Sequence, residues 1–256
     1  MTASTAGSLA CDEFVVPCLD GAAMPAYAAW PWDAAQLPVA VVFGELFGLN
    51  AVQRETADSV AKMGYVAIAP SLLHRRAGGG PIAEDAEGRE RALAVASELT
   101  RLEVASDARD ALGVAWDLPA ADATAPAIAV GVSFGGHAAL VSSALLGLRA
   151  CAALYAGWVA GTEIALSRPA ATAEFAAPLL AAAGTRTLLL TGQADPMVPA
   201  VDLDRTVAAL TAAGAAVERY DYPGVGHRFA AVGKPGYDDA AAADAWARVE
   251  AFLAGV

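Results

Sequence analysis

Short apolar runs alternate along the chain with longer stretches in which apolar residues recur every three or four positions. Residues 13–18 and 23–30 read as two opening strands, joined at Asp20-Gly21, a dipeptide suited to a hairpin turn. Residues 38–43 are continuously apolar, as in strands buried on both faces. Asn50 then caps a helix with Gln53 as its capping-box partner, and that helix ends near Met63-Gly64. Residues 65–69 form the next strand, stopped by Pro70. A loop over 71–87, with Gly78-Gly79-Gly80-Pro81 at its centre, leads into helical patterns at 88–100 and 102–117. Residues 127–130 read as a strand, 134–146 as a helix of small residues, and 152–155, 187–190 and 217–220 as further strands. Helices at 201–213 and 236–254 complete the series. Strands alternating with helices predict an α/β fold: a mostly parallel sheet with helices on both faces. The segment 157–185 is too short for a separate cap domain, so the fold expected is one open domain over 11–256 behind a flexible tail at 1–10.

Composition narrows the function classes. The chain is 57% hydrophobic and 17% charged, which excludes a disordered or fibrous protein. Much of the excess is Ala, and no uncharged apolar run reaches the roughly 18 residues of a spanning helix. A net charge of −12 argues against nucleic acid and anionic lipid as partners. The N-terminus lacks the basic and apolar regions of a signal peptide. Cys11, Cys18 and Cys151 show no metal-binding or redox spacing, so reduced thiols and a cytoplasmic location are expected.

The chemistry concentrates in three places. Gly131-Val132-Ser133-Phe134-Gly135 matches a G-x-S-x-G turn and lies where it should, after a buried strand and before a helix. Such a turn lifts the Ser133 hydroxyl to the end of the sheet, next to the amide donors of a helix N-terminus. A serine nucleophile needs a base, and the base needs an orienting acid. Asp195 follows the strand at 187–190 and His227 follows the strand at 217–220, so the order Ser, Asp, His is that of an α/β-hydrolase. Of the remaining histidines, His137 has no evident orienting acid, and His74 is expected on the surface or lining a pocket.

These residues form part of a wider pattern. Residues 42–50 (VFGELFGLN), Arg54-Glu55-Thr56, residues 64–70, the Gly131–Gly136 turn, Gly192-Gln193-Ala194-Asp195 and Gly226-His227-Arg228-Phe229 together resemble the dienelactone hydrolase (carboxymethylenebutenolidase) family, from about residue 12 to the C-terminus. The resemblance implies an α/β-hydrolase fold without a large cap, no metal or organic cofactor, and an ester or lactone as small-molecule substrate. It implies that Glu45 is buried beside the nucleophile and helps to activate it. It also implies an oxyanion hole from the backbone amides of Leu46 and Phe134. The residues alone are consistent with this, since an acid flanked by Phe43 and Phe47 just beyond a buried strand needs a partner, and the alternative is a helix-N-terminus or structural hydrogen-bond acceptor.

Two departures stand out. The family's type members use Cys where this chain has Ser133, and they grip a substrate carboxylate with two Arg. Arg75 fits the first of these, but Ala231 stands at the second, leaving Arg76, Arg228 or Lys234 as substitutes. Arg75, Tyr155 and Arg228 are therefore the expected substrate contacts. The reading is a serine hydrolase of the dienelactone hydrolase type, monomeric or a small homo-oligomer. A general short-chain carboxylesterase and a catalytically silent binding protein are the alternatives.

Overall fold

A computed structural model describes residues 8–76 and 80–256. Most of the expected tail, and Gly78-Gly79 of the loop, lie outside the described residues. Strand β1 (Leu9–Pro17) begins within the segment expected to be a tail and pairs antiparallel with β2 (Ala23–Pro31). Gly21, at φ 86°, makes the turn between them. There follow β3 (Val39–Phe43), α1 (Ala51–Lys62), β4 (Val66–Pro70), α2 (Ala86–Glu98), α3 (Arg101–Trp116), β5 (Ile128–Val132), α4 (Phe134–Leu146) and β6 (Ala150–Leu154). The chain ends with α5 (Thr172–Ala183), β7 (Arg186–Gly192), α6 (Ala200–Ala212), β8 (Ala216–Tyr222) and α7 (Asp239–Leu253).

The eight strands make one sheet in the order β1-β2-β4-β3-β5-β6-β7-β8, parallel from β4 to β8. This is the α/β-hydrolase arrangement expected. Alternate residues of the central strands feed opposite cores. Val39, Val41 and Phe43 pack under α2 to α6, whereas Ala40 and Val42 pack under α1 and α7. Helix α4 is buried on every side from Phe134 to Ala144, which explains why its sequence is apolar all round rather than striped.

Local signals and structure agree at the helix starts. Asn50 accepts the Gln53 amide at 3.2 Å, and Thr100 and Glu103 close a full capping box on α3. Gln53 departs from the expected box. Its side chain turns inward and donates to the Val42 and Pro70 carbonyls, tying the ends of β3 and β4 together. Helix α5 was not expected. It has no side-chain cap and carries Pro178 inside, so its local signals argue against a helix. Packing against α4 and α6 holds it as part of the helical layer rather than as a cap.

The path of β5 into α4 depends on Gly135. A Cβ there would run into the carbonyl oxygens of Phe43 and Gly44 at the end of β3. Gly135→Ala should therefore destabilise the protein by about 3 kcal/mol or more, since backbone atoms on both sides cannot yield. Chemical denaturation measures this. A loss below about 1 kcal/mol would mean that α4 can draw back from β3.

Candidate active site

Ser133 sits between β5 and α4 at φ 56°, ψ −123°, a conformation a non-glycine residue adopts at a cost of roughly 1–3 kcal/mol. Its amide donates to the Leu154 carbonyl at 2.9 Å, so neighbouring β6 holds the strained turn. The hydroxyl lies 2.9 Å from His227 Nε2, and His227 Nδ1 lies 2.7 Å from Asp195 Oδ2. A carboxylate only accepts, so the proton of a neutral ring belongs on Nδ1, leaving Nε2 free to accept the Ser133 proton.

The loops after β7 and β8 are stitched to one another, which brings Asp195 and His227 together. The Gln193 amide donates to the Tyr222 carbonyl and the Ala194 amide to the Val225 carbonyl, both at 2.9 Å. Asp195 is 4% exposed, and its other oxygen accepts the Met197 amide at 2.8 Å. Beneath the ring, Tyr155 meets His227 edge-on at 5.1 Å and Phe229 at 5.3 Å.

Ser133 and His227 open into a cleft of about 420 Å³, walled by Glu45, Leu46, Phe47, Trp158, Met197 and Arg228. No carbonyl among the described residues takes the amide of Leu46 or Phe134. A second, narrow pocket shares Gly157, Trp158 and Met197 with the cleft. It continues into an apolar recess formed by Leu140, Ala153, Leu189 and Leu203.

Glu45 is 5% exposed and held bidentate by Arg228, at 2.8 Å from Nε and 2.6 Å from Nη2. Burial pushes its carboxyl above the ordinary range and the guanidinium works against that. Arg228 also donates to Glu84 at 2.7 Å, and Lys234 meets the same Glu84 at 2.7 Å. Glu45 thus shares the cleft wall with Ser133, but its hydrogen-bond partner is Arg228.

Several expected contacts fall elsewhere. Arg75 binds Asp20 and Asp107 beside the β1–β2 turn and does not line the cleft. Arg76 is held by Glu103 and the Glu98 carbonyl. Tyr155 is fully buried behind the triad rather than facing a substrate. His74 is neither on the surface nor in the cleft; it packs against Cys18 and Asp107. His137 donates to or accepts from Thr172 Oγ1 at 2.7 Å in the core, where burial pushes its pKa down to about 3. Cys151 is buried and its thiol is pushed up to about 12, far from a reactive thiolate.

The sequence reading missed Arg89. It lies in the first turns of α2, at the rim of the cleft, and has no acidic partner among the described residues. An Arg in an α2 stretch rich in charge carries no local signal of this. Only the fold aims α2 at the cleft.

Comparison with known proteins agrees with the geometry. The profile of the dienelactone hydrolase family matches residues 24–256. A Synechocystis sp. protein bearing the name "Putative carboxymethylenebutenolidase" is 30% identical over 228 residues, covering 88% of each chain. A Methylorubrum extorquens protein of the same name is 30% identical over 97% of this chain and 82% of its own. A Klebsiella pneumoniae crystal structure described as "Putative Dienelactone Hydrolase" superposes with a TM-score of 0.84 at 28% identity, over 97% of this chain and 100% of that one.

Cutting the Glu45–Arg228 pair tests its cost. Arg228→Gln leaves a buried carboxylate without its cation, and breaking such a pair costs about 3 kcal/mol. Glu45 already titrates above its ordinary value of 4.5 in the folded state, and losing Arg228 raises it further. The unfolded chain then releases this proton first, so the penalty is absent below about pH 4.5 and grows as pH rises. Urea unfolding at pH 5 and pH 8 should show the larger loss at pH 8, and Glu45→Gln added to Arg228→Gln should recover most of it.

Proposed function

The chain belongs to the dienelactone hydrolase family, and from that premise we propose that it cleaves a carboxylic ester or lactone through an acyl-Ser133 intermediate. The observation that carries this reading is the unbroken hydrogen-bond chain from Ser133 through His227 to Asp195. Ser133 Oγ attacks the carbonyl carbon while its proton passes to His227 Nε2. Asp195 steadies the imidazolium, and the Leu46 and Phe134 amides receive the oxyanion. Collapse of the tetrahedral adduct expels the alkoxide, which takes the proton back from His227. A water then repeats the attack on the acyl-enzyme and releases the acid. Serine is far less acidic than the family's cysteine, so the step depends on His227 as general base.

The cleft favours a small substrate with limited negative charge. Arg228 and Lys234 are already neutralised by Glu45 and Glu84, and Ala231 is buried where the second Arg was expected. Arg89 is then the cation with which the cleft greets a carboxylate, and the recess behind Trp158 suits a short apolar group. This arrangement favours the second reading, a short-chain carboxylesterase with weak preference for anionic lactones.

A fluorophosphonate probe followed by peptide mapping tests the nucleophile: Ser133 should carry the label, and an unlabelled Ser133 would point to a silent binding fold instead. On a panel of p-nitrophenyl esters and unsaturated lactones, Ser133→Ala should retain under a few per cent of activity on every substrate. Asp195→Asn should stay folded and lose about 10⁴ in kcat, since Asn permits the wrong imidazole tautomer. Arg89→Ala should raise KM for a carboxylated lactone about tenfold, the value of one charge-assisted hydrogen bond at its lower end, and leave neutral esters unchanged. Equal effects on both substrate classes would remove Arg89 from substrate recognition.

A further inference from the structure

Away from the cleft, three segments remote in sequence meet at a buried cluster. Cys18 ends the β1 side of the first hairpin, His74 lies in the loop after β4, and Asp107 is on α3. One donor atom from each lies within 4.8 Å of the other two. Cys18 is 6% exposed and Asp107 is 0% exposed. The cluster shares no residue with the lining of the catalytic cleft.

The donors are aimed as ligands are. His74 Nδ1 is 2.9 Å from the Ser71 carbonyl, which can only accept, so Nδ1 carries the proton. The Nε2 lone pair is thereby turned to Cys18 Sγ, 3.9 Å away. A backbone carbonyl fixing the far ring nitrogen is the usual outer support of a metal-bound imidazole. Asp107 Oδ1 is taken by Arg75, but Oδ2 is fully buried and has no hydrogen-bond partner. It lies 3.7 Å from His74 Nδ1, beyond hydrogen-bond distance. A buried carboxylate oxygen without a hydrogen bond is costly, and Asp107 belongs to the same 4.8 Å cluster as the thiol and the imidazole.

We propose that Cys18, His74 and Asp107 form a divalent transition-metal site, best matched to Zn²⁺, which pins the β1–β2 hairpin and the loop after β4 to α3. Thiolate, imidazole and carboxylate together are a zinc donor set, whereas Mg²⁺ and Ca²⁺ take oxygen alone. Zn–S near 2.3 Å and Zn–N near 2.05 Å put S and N about 3.6 Å apart at a tetrahedral angle, so the observed gap needs to close by only a few tenths of an ångström. The charge also balances. A Cys18 thiolate, Asp107 and Asp20 against Arg75 leave two negative charges, which one divalent cation cancels. Binding replaces the Cys18 thiol proton, which leaves as H⁺, and water fills the fourth position.

Cobalt reads the site directly. Exposed Cys11 is first replaced by Ser to remove a competing thiol, and the full-length protein is stripped with EDTA. Titration with Co²⁺ should then give one equivalent of a tetrahedral spectrum with a thiolate-to-cobalt charge-transfer band, displaced by Zn²⁺. Cys18→Ser, whose fold is checked by circular dichroism, should abolish the band and weaken metal binding at least a hundredfold, while His74→Ala should weaken it likewise. Zn²⁺ should raise the melting temperature of the parent and leave that of Cys18→Ser unmoved. Turnover of a p-nitrophenyl ester should survive Cys18→Ser, which separates this site from the catalytic one. Absence of a thiolate band in the parent, or a band that persists in Cys18→Ser, overturns the proposal.

Discussion

The close approach of α4 to the end of β3 is the contact on which the rest of the cleft depends. Gly135 lies against the Phe43 and Gly44 carbonyls with no room for a side chain, and this contact holds the turn that strains Ser133. The strain lifts the hydroxyl above the sheet, within 2.9 Å of His227, rather than letting it cap α4 as a serine there otherwise would. The same contact fixes the start of α4 at Phe134 against the end of β3, from which the chain continues through Glu45 and Leu46 into the cleft wall. One close packing thus positions both residues of the proposed acyl chemistry that lie at this turn, Ser133 and Phe134.

Electrostatics then divides the cleft in two. On one side, Asp195 and His227 are held by loops stitched together through backbone hydrogen bonds, so the base keeps its orientation without a long-range charge network. On the other, Glu45, Arg228, Glu84 and Lys234 form a chain of alternating charge along the wall. A buried carboxylate beside a nucleophile would raise the cost of any developing negative charge. The Arg228 pair neutralises it, at the expense of a cation that would otherwise meet an anionic substrate. Under the proposed function, substrate preference would follow from a stability requirement of the cleft wall.

The fold class and the placement of Ser133, Asp195 and His227 directly after strands were legible because each rests on short-range pattern. Buried parallel strands read as apolar runs, Gly131 and Gly135 mark the sharp turn, and Asp195 and His227 follow their strands directly. The helix α5 was hidden, since Pro178 and the absent cap argue locally against it and only its neighbours stabilise it. Arg75, Arg89 and Arg228 could not be sorted. All three are long charged side chains, two in loops and Arg89 on α2, and their sequence neighbours say nothing of what each will face.

By itself, then, the sequence determined most of the elements, their alternation and the chain order of Ser133, Asp195 and His227, because hydrophobic period, capping and glycine geometry act within a few residues. The tertiary structure decided what those residues face. It tied Arg228 to Glu45, aimed Arg89 at the cleft, buried Tyr155 behind His227, and gathered Cys18, His74 and Asp107 from a hairpin, a loop and a helix. Such pairings span up to about 180 residues of chain, and their energies come from burial and charge that exist only once the sheet has assembled and excluded water.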